Sequence, residues 1–130
     1  VIVGLPLARF GRRPTMTNLT TLLPHEQLFA YRVARDLVVA VREARISDGG
    51  LRDQALRAAM SVCLNIAEAS GRPGAADQRR VYGIARGEAC EVAAAVDVAA
   101  AAGLCPADAG DRARELAGRA YALLTGLMRR

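Results

Sequence analysis

The chain has 130 residues, 52% hydrophobic but only 4% aromatic, with no Trp. That length can bury one core without disulfide or metal staples, and ample aliphatic content with nearly balanced charge excludes a disordered chain. The net charge of +5 comes from 18 Arg and no Lys against 13 acidic residues. Arg9, Arg12, Arg13, Arg129 and Arg130 near the ends account for all of the excess. The span from Thr15 to Met128 is therefore formally neutral, and phosphate binding would rest on local patches or tails, not on bulk charge.

In chain order, the opening Val1–Leu7 is apolar, but its arginines follow that run, the wrong order for a secretory signal. Residues 1–23 are expected to be an extension outside the folded unit, with Met16 as the natural start, and residues 24–130 to form one domain. Pro24 suits a first helical turn, and Leu28, Tyr31, Ala34, Leu37, Val38 and Val41 recur at helical spacing. Ser47-Asp48-Gly49-Gly50 is expected to end that helix, its glycines supplying a left-handed cap. A second helical tract runs from about Leu51 to Ser70 and stops at Gly71-Arg72-Pro73-Gly74. A third runs from about Ala75 to Ala102 and stops at Gly103. Asp108 is expected to cap the fourth, whose apolar face is Leu116, Ala120, Leu123, Leu124 and Leu127. No tract alternates with period two over a strand's length. Four amphipathic helices with short connections predict an all-α fold, an antiparallel up-down-up-down four-helix bundle.

Chemistry-bearing residues are sparse. Cys63, Cys90 and Cys105 form no C-x-x-C, and His25 is the sole histidine, too few ligands for structural zinc. Buried thiols in a reducing cytosol are the expectation. The longest aliphatic stretch, Ala93 to Cys105, is interrupted by Asp97 and built mostly of Ala, so no membrane span is predicted. The chain has no glycine-rich phosphate loop after a strand, no H-E-x-x-H and no Glu-x-x-His pair for a di-metal site. A non-enzyme is expected, with no catalytic residue, metal or cofactor.

The helix faces carry more. Projecting the second tract places Leu51, Ala55, Ala58, Ala59, Val62, Ile66 and Ala69 on one core seam. Leu56, Met60, Cys63, Leu64 and Ala67 form a second apolar stripe. That stripe is either extra contact with a neighbouring helix or an interface between copies. Between them run Arg57, Ser61, Asn65, Glu68 and Arg72. The third tract carries a seam of Val81, Ala85, Glu88, Val92, Ala95, Ala99 and Ala102, with Glu91 at its edge. A buried carboxylate needs a partner, so Arg57, Asn65, Glu68, Arg72, Glu88 and Glu91 are expected to form a structural polar cluster, with Arg57 or Arg72 pairing Glu88 across the core. Gly83 and Gly87 form a G-x-x-x-G whose propensity cost close helix approach would offset. Arg57, Arg72, Arg79, Arg80 and Arg86 are the candidate nucleic-acid contacts; solvated helix charge is the alternative.

The run from Leu51 to Arg72 resembles the four helix bundle protein family first associated with intervening sequences in bacterial 23S ribosomal RNA genes. Members read L-x-x-Q-x-R-R-A-A-x-S-I-P-x-N-I-A-E-G-x-G-R, followed by a helix containing I-A-x-G-S-x-x-E-L. Gln54, Arg57, Ala58, Ala59, Ser61, Asn65, Ile66, Ala67, Glu68 and Arg72 match the first pattern; Ile84, Ala85, Gly87 and Glu91 match the second. The likeness spans roughly residues 28–127. Leu56 stands at the first Arg of the usual pair, Cys63 at a common Pro and Glu88 at the usual Ser. The first departure removes a cation, the second a potential kink, and the third adds a charge.

The resemblance implies a bacterial, cytoplasmic bundle that assembles through its helix sides into a homo-oligomer, commonly a pentameric ring. Related bundles accompany diversity-generating retroelements, where a basic ring engages nucleic acid and a reverse transcriptase. Two functions follow as expectations. One is a non-enzymatic homo-oligomeric scaffold binding RNA or DNA through Arg patches, alone or beside a reverse transcriptase or other protein. The other is a protein-interaction module with no nucleic-acid role.

Overall fold

The computed structural model describes residues 22–130. The expectations placed on residues 1–21, including the start at Met16, lie outside that range. A short 3₁₀ turn, Pro24–Gln27, precedes four α-helices: α1 (Phe29–Glu43), α2 (Gly49–Ser70), α3 (Ala75–Ala101) and α4 (Ala107–Met128). Each helix packs on its chain neighbours and α1 closes on α4, giving the four-helix bundle expected from the spacing. Contacts between α3 and α4 run in opposite chain order. Gly83 meets Met128, Arg86 meets Thr125 and Val96 meets Gly110. At one end the Ser47 amide donates to the Leu104 carbonyl at 2.9 Å, tying the α1–α2 connection to the α3–α4 turn.

The core is apolar. Among the described residues, Leu37, Ile46, Ile66 and Leu124 are its largest fully buried side chains, and fifteen of the 28 buried hydrophobic residues are alanine. Small side chains let helix axes approach closely. The predicted α2 seam is buried from Ala55 to Ala69, with Leu51 half-buried at its start. On α3 the buried stripe is wider than predicted and includes Tyr82, Ala89 and Val96. This helix packs against both α2 and α4, so its core face turns one residue onward. Glu88 is thereby left half-buried at the edge of the stripe, and Ala102 is exposed.

Several boundaries depart from expectation. Pro24 opens the separate 3₁₀ turn, because Leu28 is extended (φ −93°, ψ 127°) and breaks the path into α1. Gly49 and Gly50 do not end α1; they open α2, where the Asp48 carboxylate accepts the Leu51 amide at 2.8 Å as an N-cap. The left-handed residue after α1 is Arg45, at φ 51°. Asp108 is not the cap of α4: Pro106 holds that position, and Asp108 lies in the first turn, accepting the Ala109 amide at 2.9 Å. Gly103 behaves as predicted. At φ 72° it closes α3, with the Leu104 amide donating to Ala99 at 2.8 Å and its own to Ala100 at 3.1 Å, the Schellman pattern.

Candidate nucleic-acid interface

Glycine at 71 and 74 with Pro73 between them stops α2 and restarts the chain as α3, which brings the end of one helix against the first turn of the next. Arg72 reaches back one helical turn to pair with Glu68 and forward to the Asp77 carboxylate at 2.9 Å. Arg80 takes the other Asp77 oxygen through Nε at 3.0 Å. Gln78 donates to the Arg72 carbonyl at 2.7 Å, pinning the turn. The hydrogen bond from Arg80 holds Asp77 below the ordinary carboxylate range, and the charges of Arg72 and Arg80 act the same way against partial desolvation. Arg72 is raised in turn, first by its hydrogen bond to Glu68.

The structure therefore assembles only part of the expected polar cluster. Glu68 and Arg72 meet, joined by Asp77, which sequence reasoning missed. Asn65 instead donates to Ser61, to its carbonyl and its hydroxyl, both at 2.9 Å. No Arg57–Glu88 or Arg72–Glu88 pair forms. Arg57 is exposed on α2, Glu91 is exposed on α3, and Glu88 has no ion pair among the described residues. The reason is proximity: Glu68 is one turn away from Arg72 on its own helix and Asp77 follows across a short turn, so neither Arg72 nor the core edge needs the other.

The remaining predicted arginines part company. Arg80 belongs to the Asp77 network, on the side of α3 towards α2. Arg79 is exposed and lies two turns before Arg86, on the face of α3 that borders α4. Arg86 is half-buried there; it donates to the Thr125 hydroxyl at 3.1 Å and its guanidinium lies 5.0 Å from the centre of the Tyr121 ring. Thr125 itself donates to the Tyr121 carbonyl at 3.0 Å. One turn beyond Thr125 stands Arg129, which caps α4 and is exposed. Arg130 comes near enough to Tyr82 to lower a phenol that burial otherwise raises. The two arginines set aside as a tail are thus folded beside the start of α3. The signal for this was available in the fourth apolar repeat, which runs to Leu127 and carries the chain end with it.

Acidic residues are absent from much of this seam. After Glu115, α4 carries none to the last residue. On α3, the helical period places Glu88 and Glu91 off the face that carries Arg79 and Arg86. Asp97, at the far end, lies 3.8 Å from Arg114. Gly83 and Gly87 do not bring helix backbones together as expected. A side chain at Gly83 would touch only the Met128 methyl at 3.4 Å, and Gly87 faces open space.

The expected second stripe of α2 divides as well. Cys63 is buried in the protomer's own core, 8% exposed, and Leu56 packs against that core. Ala67 is half-buried, whereas Met60 and Leu64 are 44% and 70% exposed. The cysteines are free, and no group of three His, Cys, Asp or Glu converges among the described residues. No helix among them is long and apolar enough to cross a membrane.

Fold and surface together define a small all-α bundle with an arginine-flanked seam between its last two helices. The family model described as 23S rRNA-intervening sequence protein matches residues 26–126, and the chain belongs to that family. A comparison with curated proteins finds no match.

Proposed function

We propose that this protein is a non-enzymatic, self-assembling helical scaffold of the cytoplasm that binds RNA or DNA through the arginines of the α3–α4 seam. The observation that carries this reading is the gathering of Arg79, Arg86 and Arg129 along one seam with no carboxylate paired to them among the described residues. Unpaired guanidiniums attract phosphate and release counterions on contact, whereas Arg72 and Arg80 are already engaged by Glu68 and Asp77. Self-assembly is supported by Met60 and Leu64, which stand out of the protomer.

Binding of a labelled structured RNA, measured across a salt series, tests the reading. Arg79→Ala with Arg129→Ala should weaken binding evenly across sequences and lower the slope of log affinity on log salt by about two. Asp77→Asn, which frees Arg80 while Glu68 still holds Arg72, should tighten it. Absence of binding at low salt by the intact protein refutes the reading. A protein-interaction module without nucleic acid is the second reading, favoured by the exposure of Leu64. Under it, a partner complex survives nuclease and every arginine variant behaves as wild type.

A further inference from the structure

The seam carries an aromatic ring among its arginines. Tyr121 is 41% exposed, whereas Tyr82 is buried at 6%. Its neighbours on the outer surface of α4 are small. Gly118 and Ala122 are exposed and a Cβ added at Gly126 would meet only open space, so the ring stands above its surroundings. Arg86 lies over it at 5.0 Å and is itself held by the Thr125 hydroxyl, so the ring and the guanidinium form one oriented plate. Exposed Arg79 and Arg129 flank the same seam.

From this arrangement we infer that the α3–α4 seam binds single-stranded nucleic acid, with an unpaired base stacked on the Tyr121–Arg86 plate and adjoining phosphates held by Arg79 and Arg129. The inference rests on the nucleic-acid reading above and narrows it to a substrate class. A base in a duplex has both faces covered by its neighbours and cannot use such a plate, whereas a single strand can splay one out. Charge complementarity selects the backbone, and the ring selects the strand's unpaired state. The Thr125 hydroxyl gives its one proton to the Tyr121 carbonyl and accepts from Arg86, so it has no proton to offer a sugar oxygen.

Fluorescence anisotropy with labelled oligouridylate, oligothymidylate and a duplex of equal length distinguishes the cases. Tyr121→Ala should weaken both single strands by about tenfold or more and leave the duplex within about twofold. Tyr121→Phe, which keeps the ring and loses the hydroxyl, should bind as wild type, and circular dichroism should report the same helix content in both variants. Unchanged single-strand affinity in Tyr121→Ala, or an equal loss on the duplex, overturns the inference. If Arg79→Ala with Arg129→Ala weakens binding while Tyr121→Ala does not, the nucleic-acid reading stands and the stacking plate alone falls. If neither change affects any probe, both fall.

Discussion

Cys63 occupies a helix position where a proline is common in the family pattern, and α2 runs unbroken through it from Gly49 to Ser70. Its thiol is buried among the aliphatic residues of the core. Burial pushes it up to about 11, with the charge of Arg35 pulling the other way. An unfolded thiol ionises near 9, so between those values the unfolded chain gives up a proton that the folded chain keeps. The stabilisation is complete below the unfolded value and is lost as pH rises through the folded one, on the order of 2–3 kcal/mol. Urea denaturation of the wild type should therefore weaken between pH 9 and 11 more than that of Cys63→Ala. Equal pH profiles for the two would show that the thiol is open to solvent. The sequence places Cys63 on a stripe with Met60 and Leu64, because periodicity records direction around a helix. It does not record how far a neighbouring helix reaches over that direction, and here the core takes Cys63 and leaves Leu64 outside.

Two helix ends make opposite use of the same backbone conformation. Gly103 closes α3 at φ 72°, where a Cβ is strained, and Arg45 follows α1 at φ 51° with a full side chain. Gly103→Ala should destabilise the protein by about 1–2 kcal/mol, and Arg45→Gly should stabilise it by up to about 1 kcal/mol, the glycine's extra chain entropy offsetting part of the relief. Both are read from urea midpoints at unchanged slope. A loss of stability in Arg45→Gly would mean that the side chain contributes more than its backbone costs. Gly103 is legible because a glycine follows an apolar repeat and Pro106 lies close behind. Arg45 is not, since its conformation is imposed by what comes next: the chain must reverse at once to bury Ile46, 1% exposed. Once Arg45 makes that turn, Gly49 and Gly50 are free to begin α2 under the Asp48 cap.

For the whole molecule, a core rich in alanine leaves larger aliphatic side chains outside it. Met60 and Leu64 on α2 and Val39 on α1, 39% exposed, are among them. If copies of the chain cover α2, Met60→Glu with Leu64→Glu should give a folded protein of smaller mass in sedimentation equilibrium, with helix content unchanged. An unaltered mass would place any assembly elsewhere. The four helices, the α2 seam and the stop at Gly103 follow from the sequence alone, because a 3.6-residue repeat of apolar side chains admits one way to bury them. Tertiary structure alone decided which side of the second α2 stripe is covered and how Arg129 comes to flank a seam with Arg79. Those outcomes depend on distances between helices, and a helical period specifies angle around one axis while saying nothing about the position of the next.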